Sequence, residues 1–345
     1  MKQTNILQTI ILFLGILLLT VGCNSDNDGI FRLISQSEET VEIGTVTLIT
    51  HSGATLFAHT SKGGLQSYDT LTKVWNKITP LDSPVYSDQV STDGTDVFYY
   101  ARSSVGVNNT LYFFPKAGPY TSVVKNSLYD ILSMAPQHDL MTIKDGTDVK
   151  VVRSSNGATL LATYADHNTD VLLLSQSDNY YLLSGYEMVG GSKEYQNILY
   201  NGTHEVTFTG MPTSIGVRAF FAAGTSLALV ATNGDVYYNN GFNLSAVGAD
   251  VAVALSKGGS VPLATTSTPL THLPVIHKAG ESVFYIQGDN GYIYKVDPAT
   301  GVTTDATFND INITVTVSSF YYDGADYYIG TQKNGIIKVE SFPAP

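Results

Sequence analysis

Beyond residue 30 the apolar residues fall in short runs rich in Val, Ile, Tyr, Phe and Thr, each soon broken by Gly, Asp, Asn or Ser. No stretch keeps the 3.6-residue period of an amphipathic helix over three turns. This pattern predicts strands and hairpins from end to end. The runs group into a recurring unit: an apolar strand, a small turn, a second strand, a second turn, and a third strand that often carries Tyr. The unit is legible at 52–69, 93–116, 137–154, 177–202, 223–241, 279–301 and 323–341. Its first turns fall at 53, 94, 138, 178, 224, 280 and 324, spaced by 40 to 46 residues except for one interval of 56. A fourth strand is expected in six units, at 74–79, 120–124, 158–164, 204–209, 242–247 and 302–308.

Four short strands per repeat of this length is the period of a propeller blade. The expected fold is all-β, a β-propeller of seven four-stranded blades forming one domain over 30–345. Six or eight blades are also compatible, because strands this short permit a register error of one hairpin. The seventh unit runs out of chain before a fourth strand, while IFRLIS (30–35) and TVEIG (40–44) are unassigned. Closure by an N-terminal strand is therefore expected, since an open ring leaves unpaired edges. The pentapeptide DGTDV occurs twice, at 93–97 and 145–149. The alignment puts the first copy between strands one and two of its unit and the second between strands two and three. The two copies then lie on opposite faces and form no joint site; Asp-Gly is turn chemistry, because tight hairpins need positive φ.

Two local stretches resemble the blade ends of PQQ-like propellers, which carry Asp, then Thr-Gly-Lys, then Trp. Asp69-Thr70-Leu71-Thr72-Lys73-Val74-Trp75 keeps Asp, Thr, Lys and Trp without the Gly, and Asp297-Pro298-Ala299-Thr300-Gly301 keeps Asp, Thr and Gly without the Trp. The resemblance implies the fold and no quinone: the chain has one Trp and a single cysteine, so no Cys pair can sit beside such a group. No cofactor is expected.

The N-terminus reads differently. Lys2 precedes an apolar run from Ile10 to Val21 that is short for a membrane span and suits a signal peptide over residues 1–22. The run ends in Leu19-Thr20-Val21-Gly22-Cys23, which resembles the lipobox of bacterial lipoproteins. The resemblance implies acylation of Cys23, and Asn24 in place of Asp then implies the outer membrane, with the domain facing the periplasm or the cell surface. Residues 23–29 read as a flexible tether. A formal charge of −12 argues against nucleic acid, whose phosphates need a cationic face.

Candidate chemistry is sparse. There is no G-x-S-x-G, Walker loop, C-x-x-C or H-E-x-x-H, so neither a catalytic set nor a metal site is expected. The histidines at 51, 59, 138, 167, 204, 272 and 277 have no spacing that forces three ligands together. Tyr-Tyr pairs at 99–100, 180–181, 237–238, 321–322 and 327–328 either fill strands, one ring to each face, or, if exposed, stack on sugars. Insertions at 102–109, 185–197 and 248–271 all map to one face, and long loops on a rigid scaffold are where binding resides. Tyr186, Glu187, Lys193, Glu194 and Tyr195 are the candidate partner contacts. The expected role is a lipid-anchored envelope propeller that binds a protein partner without catalysis, similar in plan to the propeller lipoprotein of the β-barrel assembly machinery. A glycan-binding lipoprotein, or less readily a polysaccharide hydrolase or lyase, is the alternative.

Overall fold

In the computed structural model the short apolar runs are strands and the Gly- and Asp-bearing breaks between them are tight turns. The structure describes residues 45–339 apart from 54, 61–63, 70–71, 73, 79–88, 102–109, 115–129, 147, 156–159, 165–170, 264–271, 278–279, 307–315, 323–325 and 334. The signal peptide, Cys23, the tether, both spare N-terminal strands, the 102–109 insertion and the strand expected at 120–124 lie outside the described residues.

Among the described residues the strands form seven sheets. The first holds β1 (Val46–Ser52), β2 (Thr55–Thr60), β3 (Gly64–Asp69) and β4 (Val74–Lys77). The second holds β5 (Gln89–Thr92), β6 (Val97–Ala101) and β7 (Thr110–Phe114), and the third β8 (Asp130–Met134), β9 (Met141–Asp145), β10 (Asp148–Val152) and β11 (Leu160–Tyr164). The fourth holds β12 (Val171–Ser175), β13 (Tyr181–Val189), β14 (Ser192–Tyr200) and β15 (Glu205–Thr209). In the fifth, β16 (Val217–Ala223), β17 (Ser226–Ala231) and β18 (Asp235–Asn240) come first. Next along the chain are β19 (Val251–Ala254) and β20 (Ser256–Ser260). The sixth holds β21 (Phe284–Gln287), β22 (Ile293–Val296) and β23 (Thr303–Asp305), preceded by a bridge from Ile276 to Tyr285. The seventh holds β24 (Val317–Tyr322), β25 (Tyr327–Thr331) and β26 (Ile336–Val339).

Strand pairs within each sheet are antiparallel in chain order, with one exception. The expected first turns at 53, 94, 138, 178 and 224 fall between the first and second strands of their sheets, the one at 280 falls between the Ile276 bridge and β21, and the one at 324 lies outside the described residues. Asp93 shows why one of them is so tight: its Oδ1 accepts from the amides of Thr95 (2.8 Å) and Asp96 (2.7 Å), and Gly94 supplies φ +85°. Gly146 does the same at φ +66° in the β9–β10 turn, one hairpin later in its sheet. In the stretches that resemble PQQ-like blade ends the Asp is likewise a turn cap. Asp69 Oδ1 accepts from Thr72 N at 3.2 Å, and Asp297 Oδ1 accepts from Ala299 N at 2.8 Å.

The core lies between sheets. One cluster of buried side chains fills each seam between consecutive sheets, as with Phe98, Tyr100, Ile131 and Ile143 between the second and third. A further cluster, with Val46, Ile49, Leu56, Tyr321 and Tyr328, lies between the seventh sheet and the first. Strands covered on both faces lose the alternating pattern, and β17 is buried from Leu227 to Ala231. The Tyr-Tyr pairs follow from this. Tyr99 joins the first seam and Tyr100 the second; Tyr321 packs toward the first sheet and Tyr322 toward the sixth. Each ring of a pair serves a different seam.

Polar side chains stitch the seams by satisfying the inner strands' backbone edges. Gln89 Oε1 accepts from Met134 N at 2.7 Å, Ser133 Oγ from Leu173 N at 3.1 Å, and Gln287 Oε1 from Val317 N at 2.6 Å. Between the seventh and first sheets Ser319 Oγ accepts from Ile49 N at 2.9 Å, and Thr45 Oγ1 donates to Gln332 O at 2.7 Å.

Two expectations need correction. The segment 242–247 is not a strand: Leu244–Ala246 is a 3₁₀ turn capped by Asn243, whose side chain accepts from Ser245 N. Leu244, Phe242 and Val247 pack against the seam between the fourth and fifth sheets. The fourth strand of the fifth sheet is β20, which pairs with β18. Between them β19 leaves its own sheet and pairs in parallel with β15, making the fourth sheet five-stranded. The segment 185–197 is the second correction. It is a hairpin extension of β13 and β14, paired from Tyr186–Tyr195 to Val189–Ser192, rather than a loop.

Candidate functional site

The first strand of each sheet runs toward the first-to-second turns, and the second strand runs back to the opposite end. Two features follow, one at each end.

At the end of the first-to-second turns lies a cavity of about 970 Å³. The β8–β9 turn contributes Gln137 and His138, β12 ends in Ser175 and Gln176, and β16 brings Phe220 and Phe221. Residues 272–275, His277 and residues 280–282 ahead of β21, with Phe320 and Tyr322 of β24, line it further. Polar members of the wall are hydrogen-bonded to neighbouring backbone and side chains. Gln176 grips Ala222 with both ends of its amide, accepting at 2.8 Å and donating at 2.6 Å. Gln137 Nε2 donates to Phe320 O, tying the third sheet's turn to the seventh sheet. His277 Nε2 donates to Glu281 O at 2.8 Å, and Glu281 Oε2 accepts from Tyr285 OH at 2.8 Å.

His138 Nδ1 lies 2.6 Å from Ser175 Oγ. Burial lowers its pKa to about 4, against a raising influence of the Asp178 carboxylate and a further lowering one from His51. The unfolded imidazole takes up its proton near pH 6.5, the folded one only near 4. Between those values the unfolded chain holds more protons, so stability is whole above pH 6.5 and declines as the pH falls through the window. The expected loss by pH 4 is on the order of 2 kcal/mol. Urea denaturation at pH 7, 5.5 and 4 measures it, and His138→Gln should flatten that part of the profile. An unchanged slope in the variant would assign the acid sensitivity elsewhere.

Three of the seven histidines, His138, His272 and His277, share the cavity wall. The sequence contains no spacing that foretells this. Among the described residues no group of His, Cys, Asp or Glu is placed to hold a metal ion. His51 stacks on Tyr321 with centroids 4.6 Å apart, and His59 Nδ1 lies 2.6 Å from Thr47 Oγ1. His204 lies 3.6 Å from Asp250, and His167 is outside the described residues. Polysaccharide hydrolysis needs two carboxylates flanking the bond. Among the described residues lining the cavity there is one, Glu281.

At the opposite end stands the β13–β14 extension, which carries all five partner candidates. Tyr186 and Tyr195 face each other across the hairpin, rings 5.3 Å apart, and are 6% and 9% exposed. They are its internal packing rather than a presented surface. Tyr195 N donates to Thr213 O at 2.5 Å, and Asn197 Nδ2 donates to Ile215 O at 3.0 Å, so the segment before β16 braces the hairpin's base. Lys193 Nζ sits 4.0 Å above the Tyr186 ring. Glu187 and Glu194 are paired across the strands, half-buried and exposed respectively. The apolar side chains that the hairpin offers to solvent are Met188 (52%) and Val189 (44%), neither of them among the five candidates. Their signal was the Gly190-Gly191 turn after an apolar pair, with both glycines at positive φ. The Tyr-Tyr pairs form no exposed platform: Tyr99, Tyr181, Tyr237 and Tyr328 are all under 4% exposed.

No protein-family model matches the chain, and no curated protein matches it. Its similarity is to solved structures. U3-55K aligns over 86% of this chain and 95% of its own at 10% identity, with a TM-score of 0.54. The WD40 repeats of RRP9 align over 86% and 94% at 10% identity, with a TM-score of 0.53. PorZ, described as an essential bacterial surface component of the type-IX secretion system of Porphyromonas gingivalis, aligns at 16% identity with a TM-score of 0.50. This chain covers 88% of itself in that alignment but spans only 38% of PorZ. At these identities the likeness is one of fold, and the fold is a β-propeller.

Proposed function

We propose that this chain is a seven-bladed propeller, its last blade seated against its first, that is held at the bacterial outer membrane by acylated Cys23 and captures a protein partner without catalysis. The reading rests on one observation above all. A braced, fully paired hairpin carries two adjacent apolar side chains, Met188 and Val189, beyond the strands on either side. A folded chain has no internal reason to stiffen an arm and then expose apolar residues at its tip; such patches mark contact sites. Met188 and Val189 are consecutive in a strand and project from opposite faces of the ribbon, so the partner clasps the tip, with Lys193 on the Met188 face and Glu194 on the Val189 face at the rim. The seventh-to-first seam, with its shared cluster and the Ser319 bond to Ile49, supports closure. The run into Cys23 supports the anchor, and PorZ provides a fold-level precedent at a bacterial surface.

The test places a benzophenone-bearing amino acid at Met188 in the full chain within cells. A discrete crosslinked protein is expected in the membrane fraction. It should vanish when residues 187–194 are replaced by a two-residue Asn-Gly turn, and be missing when the probe stands at Thr225, in the β16–β17 turn at the other end. Cys23→Ser should move the protein to the soluble fraction. Equal crosslinking from both positions would overturn the hairpin as the contact, and membrane retention of the Cys23→Ser variant would overturn the anchor.

A further inference from the structure

The described residues include four methionines, and the fold treats them unequally. Met134 and Met141 are 1% and 4% exposed in the seam between the second and third sheets. Met211 is half-buried against the seam between the fourth and fifth. Met188 is 52% exposed, at the penultimate strand pair before the Gly190-Gly191 turn. Oxidation of a thioether needs an oxidant at the sulfur, and susceptibility follows exposure. Exposure also decides what the product does to the fold. A sulfoxide at Met134 or Met141 would place a strong dipole among buried apolar side chains. At Met188 the new oxygen is solvated, the strand pairing below it is untouched, and the hairpin base stays braced by Thr213 and Ile215.

We propose that Met188 is a reversible oxidation site: a peroxide takes its thioether to the sulfoxide ahead of the other described methionines, and the polar tip then releases the partner. The release rests on the hairpin being the contact, whereas the order of oxidation does not. The step is a two-electron oxygen transfer. A sulfur lone pair attacks one peroxide oxygen, the O–O bond breaks and an S–O bond forms. The departing oxygen takes the proton of the transferred one and leaves as water, so sulfur is oxidised and the peroxide reduced. Methionine sulfoxide reductases reverse the step, their thiols supplying two electrons and two protons to remove the oxygen as water. The same solvation that makes the sulfoxide harmless to the free chain makes it costly in the complex. Against an apolar partner surface the S–O dipole loses its water without gaining a matched donor, which weakens binding by about tenfold or more. A contact centred on a thioether is thereby switched with no change in charge and no change in fold.

Hydrogen peroxide added to the purified full chain at neutral pH, with peptide mass spectrometry over time, tests the site. Met188 is expected to gain a single oxygen about tenfold faster than Met134 and Met141 and several-fold faster than Met211, with circular dichroism unchanged. In urea the four rates should converge, because the fold no longer shields any sulfur. The release is read in permeabilised cells that carry the benzophenone at Val189, with Met188 native. Peroxide followed by catalase should abolish the crosslink, and methionine sulfoxide reductases for both epimers should restore it. Met188→Leu keeps an apolar side chain of similar volume and should crosslink equally before and after peroxide. Oxidation of Met134, Met141 or Met211 in the folded chain as fast as Met188 would overturn the site. A crosslink that survives once Met188 is oxidised, or that is lost equally in Met188→Leu, would overturn the release. Absence of any crosslink before oxidation would refute the hairpin as the contact and the release with it, while the peptide rates decide the oxidation site by themselves.

Discussion

Alanine at Gly234 is expected to destabilise the protein by roughly 3 kcal/mol, against about 1 kcal/mol for alanine at Gly94. The two glycines share a backbone conformation, φ +84° and +85°, so the conformational cost of adding a Cβ is the same at both. They differ in their surroundings. A Cβ at Gly94 meets nothing within 4 Å, whereas one at Gly234 lands 2.0 Å from the carbonyl oxygen of Val261. That carbonyl cannot retreat cheaply. Val261 N donates to Gly234 O at 2.8 Å, and the Val261 side chain is buried in the seam between the fifth and sixth sheets. The difference between the variants is therefore a steric term isolated from the dihedral one. Urea midpoints of Gly234→Ala, Gly94→Ala and the native chain measure it. Equal shifts would mean that the backbone at 261 yields freely.

Tyr181 should show opposite signs for two substitutions. Its side chain is wholly buried and stacks on Tyr200 with centroids 5.1 Å apart. Among the described residues its hydroxyl has no hydrogen-bond partner. Burial pushes the phenol's pKa up, so the group stays protonated and acts as a desolvated, unpaired dipole. Such a group costs about 1–3 kcal/mol when nothing compensates it. Tyr181→Phe keeps the ring and removes that cost, and should leave stability unchanged or raise it by about 1 kcal/mol. Tyr181→Ala removes the ring from the seam between the third and fourth sheets and should cost about 4 kcal/mol. Thermal or chemical denaturation of both variants decides. A clear loss in the Phe variant would reveal a partner for the hydroxyl.

The first turns at 53, 94, 138, 178 and 224 are legible because two independent signals coincide there, an apolar run on each side and a residue suited to positive φ or an Asx turn between them. The Tyr pairs were legible as strand filler for a similar reason. What the residues did not disclose has an identifiable physics. β20 reads SKGGS, with no apolar side chain to betray a strand. It is a strand because backbone packs on backbone: a Cβ on Gly258 would meet Gly301 O at 2.3 Å, and one on Gly259 would meet Thr303 Oγ1 at 2.3 Å. The apolar segment 242–247 looked the better strand, yet its apolar residues serve a seam between sheets rather than a ladder within one. The length of the 185–197 insertion does not distinguish a loop from a paired extension, so it carries no sign that Met188 and Val189 stand on a hairpin. The cavity wall gathers side chains from the first, third, fourth, fifth, sixth and seventh sheets, and no local spacing encodes such a convergence.

β19 has a consequence for how such a chain can be rebuilt. Propellers made of self-contained units can gain or lose one by duplication or excision, because each cut falls between finished sheets. Here the strand that completes the edge of the fourth sheet is carried on the connection within the fifth. Any excision of the fifth unit strips a strand from its neighbour, and any permutation that opens the chain between β18 and β20 cuts the link that bears it. The fourth and fifth sheets are thus inherited as a pair, and recombination that treats the chain as seven interchangeable cassettes is barred at that one place.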